Sequence, residues 1–108
     1  MEFNLLLKGK MQGAETILDQ LGGRLFIVMT GAKNLLAHPD GLSFRIGRNS
    51  HAVTQVKITL NREDLYDIDF GFIRKHEFRI KNSAKSVFAE DLQTVFTRFT
   101  GMDTGGIH

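Results

Sequence analysis

Four stretches of strict apolar and polar alternation constrain this chain more than any other feature. Leu42, Phe44 and Ile46 alternate with Ser43 and Arg45. Val56, Ile58 and Leu60 alternate with Lys57 and Thr59, and Tyr66, Ile68, Phe70 and Phe72 with Asp67 and Asp69. Phe78 and Ile80 close the series against Arg79 and Lys81. Successive side chains of a strand point to opposite faces, so a period of two describes a sheet with one buried and one wet face. The short links between the runs suit hairpins. The longest, Gly47 to Ala52, is polar and basic.

A sheet with one apolar face needs a cover. Ala14, Ile17, Leu18 and Leu21 fall at i, i+3, i+4 and i+7, which predicts a helix over 14–21 stopped by Gly22-Gly23. Phe88, Leu92, Val95, Phe96 and Phe99 give a second amphipathic stripe, with Ser86 as its N-cap and Gly101 as its stop. The apolar run Leu25 to Met29 reads as a buried strand, and Leu35 to Ala37 as a further short one. His38-Pro39-Asp40-Gly41 reads as a type I turn. The expected fold is α+β. It is a single domain with a four- to five-stranded antiparallel meander, a short N-terminal helix and an amphipathic C-terminal helix packed on one face, in the order α-β-β-β-β-β-α. The domain is expected over 12–101, with 1–11 an extension in which Met11 is an alternative start, and 102–108 a flexible tail.

Matching apolar pairs across the hairpins predicts the wet face. Phe44 opposite Ile58, Ile58 opposite Ile68 and Phe70 opposite Ile80 would build a charge ladder Arg45–Lys57–Asp69–Lys81 beside Ser43–Thr59–Asp67. Opposite charges facing each other across strands contribute about 0.2–1 kcal/mol per pair.

Composition excludes much familiar chemistry. The 108 residues include no cysteine, so a disulfide framework, a thiolate nucleophile and a cysteine zinc site are all excluded. Asp67-x-Asp69 with Glu63 and Asp64 is read as strand and turn positions paired to Lys57 and Lys81, and no metal is expected. The four histidines fall in turns, loops and the tail without ligand spacing. Thr30-Gly31-Ala32-Lys33-Asn34 lacks the pattern of a phosphate loop and reads as a turn. No catalytic residue, cofactor or enzymatic activity is expected. No apolar run approaches a membrane span, and Met1 to Lys8 is too short in apolar residues for a signal sequence. A cytoplasmic location follows as an expectation.

The net charge is only +2, but the basic groups are not evenly spread. Residues 45–85 carry nine basic side chains against five acidic ones. Arg45, Arg48, Lys57, Arg79 and Lys81 are the expected phosphate contacts of a nucleic-acid surface, with Lys33 and Arg62 as outer candidates. Against this stands the alternation itself, which places every strand aromatic on the buried phase and leaves none to stack on bases.

Several segments together carry a resemblance. They are Gln20-Leu21-Gly22-Gly23 with Phe26, Met29-Thr30-Gly31-Ala32-Lys33-Asn34, Leu42-Ser43-Phe44-Arg45 and Lys57-Ile58-Thr59-Leu60-Asn61. Tyr66-Asp67-Ile68-Asp69-Phe70, Ala89-Glu90-Asp91-Leu92 with Phe96, and Thr100-Gly101 complete the set. Over most of the chain they resemble a group of short, uncharacterised proteins of bacterial genomes, prophages and phages. The resemblance implies a cytoplasmic accessory protein of a mobile element and carries over no functional residue. Two functions are expected from the whole. One is a small single-strand nucleic-acid-binding module without sequence specificity. The alternative is a protein–protein interaction module that modulates a host or phage protein without catalysis. An edge strand or a leftover apolar helix face would allow a homodimer.

Overall fold

A computed structural model describes residues 11–104. Two short helices come first, α1 (Met11–Leu21) and α2 (Gly23–Thr30). Five strands follow, β1 (Lys33–His38), β2 (Gly41–Arg45), β3 (Gln55–Leu60), β4 (Tyr66–Arg74) and β5 (Glu77–Val87). A 3-10 turn (Ala89–Asp91) then leads into α3 (Leu92–Thr100). The strands form one antiparallel sheet in the order β1-β2-β3-β4-β5, an uninterrupted meander. The α+β architecture with helices at both ends of the chain is the one the alternation predicts. Of the expected extension 1–11 and tail 102–108, residues 1–10 and 105–108 lie outside the described residues, and Met11 begins α1. Beyond α3 the packing continues, since Met102 rests against the core and Thr104 is fully buried. No helix among the described residues is long and apolar enough to cross a membrane.

Four phenylalanines hold the layers together. The Phe96 ring of α3 meets Phe26 of α2 edge-on at a centroid distance of 5.1 Å, and meets Phe44 of β2 and Phe70 of β4 at 6.4 Å each. Phe26 meets Phe44 edge-on at 5.5 Å. Phe99 stacks on Phe70 at 5.0 Å. Such pairs add about 0.5–1.5 kcal/mol each beyond the area they bury. Ile17, Leu18 and Leu21 of α1 and Leu42, Ile58 and Ile68 of the sheet surround this centre.

The expected strand over 25–29 is helix α2. Apolar content alone does not separate a short strand from a helix; burial does. Phe26 and Thr30, four apart, are buried, while Leu25, Val28 and Met29 are exposed, Val28 to 72%. One large ring directed into the core is enough, and a helix delivers it while satisfying its own backbone. Thr30 Oγ1 donates to the Phe26 carbonyl at 2.7 Å, and Gly31 closes the helix in the left-handed region with φ 68°. Gly22-Gly23 is therefore a hinge between two helices and not a stop before a strand.

Two β-bulges overturn the expected register of β5. The Ile58 to Ile68 and Lys57 to Asp69 pairings are as expected, but Phe44 faces Val56 and Arg45 faces Gln55. Across β4 and β5, Phe70 faces Asn82 and Gly71 faces Ile80, with Lys81 the extra residue. A bulge shifts the pairing and reverses which face a side chain takes. Ile80, expected in the core, is 56% exposed. The predicted row Arg45–Lys57–Asp69–Lys81 is replaced by Ser43–Lys57–Asp69–Ser83. Gly71 makes the bulge possible, because a Cβ there would lie 1.8 Å from the Arg79 carbonyl oxygen.

The second bulge places Ser86 at φ 53°, so Ser86 is part of β5 and not the N-cap of the last helix. Phe88, expected on the helical stripe, precedes the 3-10 turn and is exposed. At this bulge the Ser86 N–H donates to Asp67 Oδ1 at 2.9 Å, and Asn61 Nδ2 donates to the same oxygen at 3.1 Å. The Ser86 N–H is the largest cause holding the Asp67 carboxyl below its ordinary value of 3.8; desolvation opposes it, and Asn61 and the charge of Lys85 lower it further by smaller amounts.

Two outcomes are expected. Phe96→Ala removes the one ring shared by α2, β2 and β4 and lowers the unfolding free energy by about 3–5 kcal/mol in denaturant titration. For Asp67 the folded carboxyl is the more acidic one, so its stabilising contribution is complete above about pH 5 and is lost as pH falls through the folded value. The pH dependence of Tm below about pH 4 is therefore flatter in Asp67→Asn than in the unaltered chain.

Candidate nucleic-acid interface

The chain after β2 builds its loop around one side chain. Asn49 Oδ1 accepts from the N–H groups of His51 at 3.2 Å and Val53 at 3.1 Å, while its Nδ2 donates to the carbonyls of Gly47 and Val53. Asparagine in this position replaces a backbone turn with side-chain hydrogen bonds. The turn after β3 repeats the device. Asn61 Oδ1 accepts from the N–H groups of Glu63 at 2.9 Å and Leu65 at 3.2 Å. In both loops the residue three positions on is left-handed, Ala52 at φ 56° and Asp64 at φ 61°.

The Asn49 loop is also tied to its surroundings. The Ile46 N–H donates to Thr54 O at 3.1 Å, the Gly47 N–H to Thr30 O at 2.8 Å, and the Thr54 N–H to Gly71 O at 2.8 Å. The Gly47 bond fastens the loop to the C-terminal end of α2. Between them opens a cleft of about 470 Å³ lined by Gly31, Lys33, Arg45, Ile46, Gly47, Arg48, Asn49, Ala52 and Thr54. Its size falls within the range of small-ligand sites, about 300–1,000 Å³.

Three of the seven sequence-predicted cations meet in this cleft. Lys33 and Arg45 are direct cross-strand partners of β1 and β2, and Arg48 follows in the loop. All three are exposed, and no acidic residue lines the cleft. None of the three forms an ion pair among the described residues. Like charges directly opposite on a sheet are destabilising. The C-terminal end of α2 supplies about half a negative charge nearby, which offsets only part of three positive ones.

The other four candidates lie elsewhere. Lys57 sits in the middle of the open sheet face between Ser43 and Asp69. Arg79 pairs with Glu77 at 3.0 Å. Lys81, expected beside Asp69, donates instead from Nζ to the His51 carbonyl at 2.7 Å and braces the Asn49 loop from β5. Asp69 takes a hydrogen bond from Ser83 Oγ at 2.7 Å, with Lys85 Nζ at 4.0 Å. Arg62 lies in the Asn61 turn, beyond the opposite end of β3 from the cleft. Sequence reasoning missed Asn49, although an asparagine inside a polar loop is the signal that marks it. Among the described residues no group of three or more His, Asp or Glu side chains is placed to hold a metal ion.

If the charge convergence has no structural role, relieving it raises stability. Lys33→Glu pairs the new carboxylate with Arg45 and is expected to stabilise the fold by about 0.5 kcal/mol in thermal unfolding. No protein-family model, curated protein or solved structure matches the chain.

Proposed function

We propose that the protein binds single-stranded nucleic acid without sequence specificity, and that the Lys33, Arg45 and Arg48 cleft seats its phosphates. The carrying observation is the convergence of three cations on one acid-free cleft of about 470 Å³, across a cross-strand pair that the fold would do better without. Lysine and arginine side chains of this kind attract phosphate by charge and by donated hydrogen bonds, and the guanidinium fork matches two oxygens at once. Binding of the backbone by charge is indifferent to sequence. The role is one of binding and not of catalysis, in keeping with an accessory protein of a mobile element working in the cytoplasm.

A second reading is favoured by a different feature. Leu25, Val28 and Met29 form an exposed apolar stripe on α2, as a protein–protein interaction module or a homodimer would carry.

Fluorescence anisotropy with a labelled single-stranded oligonucleotide separates the two. Three phosphate contacts give a slope of about −2 in log affinity against log salt, so binding weakens about twentyfold between about 50 and 200 mM salt. The Arg45→Ala, Arg48→Ala double variant retains one contact and weakens only about threefold over the same range. Absence of binding at low salt overturns the proposal and leaves the α2 stripe as the surface to pursue.

A further inference from the structure

The bulge at Gly71 has a consequence outside the core. β3 ends its pairing with β4 at Gly71, but β4 and β5 continue together from Gly71 and Ile80 to Arg74 and Glu77. Residues 72–79 thus form a two-stranded ribbon that extends past the rest of the sheet. Its turn is Lys75-His76, both left-handed at φ 52° and 68°, the geometry that follows the twist of the strands. Residues 72–81 carry a net charge of +3.

The reversed phase brings apolar groups onto the open face of this ribbon. Ile73 faces Phe78, and Ile80 faces Gly71. Ile73 is 49% exposed, Ile80 is 56% exposed, and Phe78 is half-buried. Phe78 is an aromatic that the alternation assigned to the core. Arg45, which lines the cleft, stands on the same open face. Arg45 pairs with Gln55, Gln55 with Gly71, and Gly71 with Ile80, so the four lie in one row across β2 to β5. Three strand spacings separate Arg45 from Ile80, about 14 Å. A few nucleotides of an extended strand span that distance.

We infer that the β4–β5 ribbon is a second contact element for the same nucleic-acid strand, with Phe78 stacking on a base a few nucleotides along from the phosphates that lie in the Lys33, Arg45 and Arg48 cleft. The inference rests on the nucleic-acid reading and adds to it the base-contacting residue. Charge complementarity selects the occupant. An apolar patch on a ribbon of net positive charge, in one row with Arg45 of an acid-free cationic cleft, fits a polyanion whose bases present apolar faces. The ribbon replaces the aromatic platform that strict alternation would have left buried.

The test compares a base-bearing strand with an abasic strand of the same length and phosphate number. The unaltered full-length chain is expected to bind the base-bearing strand about tenfold more tightly, the range for one stacked base. Phe78→Ala removes that preference and leaves affinity for the abasic strand unchanged. Phe78→Tyr keeps it, which guards against a loss caused by misfolding. Because the chain contains no tryptophan, Phe78→Trp supplies a single reporter, and its emission is expected to be quenched by the base-bearing strand alone. Equal affinity for both strands with an unquenched tryptophan overturns the inference while leaving the cleft as a phosphate site. Failure of both strands to bind overturns the nucleic-acid reading itself. A tryptophan that shifts to the blue with rising protein concentration, with no oligonucleotide present, shows the ribbon covered by a second copy of the chain and also overturns the inference.

Discussion

The meeting of Phe26, Phe44, Phe70 and Phe96 decides where everything else in the molecule can go. Phe44 and Phe70 come from strands that are neighbours of β3, Phe96 comes from the last helix, and Phe26 closes the group from the N-terminal side. With Phe26 set between Phe44 and Phe96, the C-terminal end of α2 meets the chain just past β2. Gly31 then comes to rest against Gly47, and the Thr30 carbonyl receives the Gly47 N–H. The cleft is the space left beside that junction. A packing requirement in the core thus sets the wall of the candidate site, and the link between them is a single backbone hydrogen bond.

Alternation through Leu42, Phe44, Val56, Ile58, Ile68 and Phe70 and the helical spacing of Leu92 and Phe96 carried the architecture, because each of those side chains reaches the core at the period of its element; Leu60, on the same phase at the end of β3, is exposed. Legibility failed where a single residue did the work of several. In α2 Phe26 and Thr30 turn inward and Ile27 packs partly against the core, so the apolar run around them imitates a buried strand. In β5 the pattern Phe78-Arg79-Ile80-Lys81 still alternates, yet one extra residue in the pairing sends Ile80 to the open face. A bulge leaves no periodic trace. Its trace is local: Gly71, whose missing Cβ admits the Arg79 carbonyl, and Ser86, whose positive φ is stabilised by hydrogen bonds at Asp67 and Asn61. Of the seven candidate cations, Lys33, Arg45 and Arg48 meet, although one of them was only an outer candidate. Lys57, Arg79, Lys81 and Arg62 do not join them, since sequence proximity says nothing of the register that would bring them there.

The two asparagine loops show how the same local chemistry serves different ends. Each gathers two N–H groups on one side-chain oxygen and forces a left-handed residue three positions on, at Ala52 and at Asp64. Aspartate and asparagine tolerate that conformation better than alanine does. At the Asn61 turn the residue type suits the geometry, and the remaining amide hydrogens serve the bulge at Ser86. At the Asn49 loop alanine occupies the strained position, directly on the wall of the cationic cleft. Backbone strain held beside a candidate site is an observation from which function is argued, because the surrounding bonds from Ile46, Gly47, Thr54 and Lys81 over-determine the loop.

Four departures from local rules share one end of this molecule. A same-sign cross-strand pair at Lys33 and Arg45, a left-handed alanine at position 52, a two-residue turn of lysine and histidine at positive φ, and exposed apolar groups at Ile73 and Ile80 lie along the cleft and the ribbon. At the opposite end the left-handed Ser86 is held by its N–H bond to Asp67 and by the Asn61 amide on its hydroxyl, and the left-handed Asp64 is well suited to its place. Natural sequences agree across levels except where function requires otherwise. Stability alone would replace Lys33 with an acid, put glycine in the ribbon turn and return Ile80 to the core. That the chain does none of these at the end where its unpaired cations meet is the physical ground on which the proposed binding surface rests.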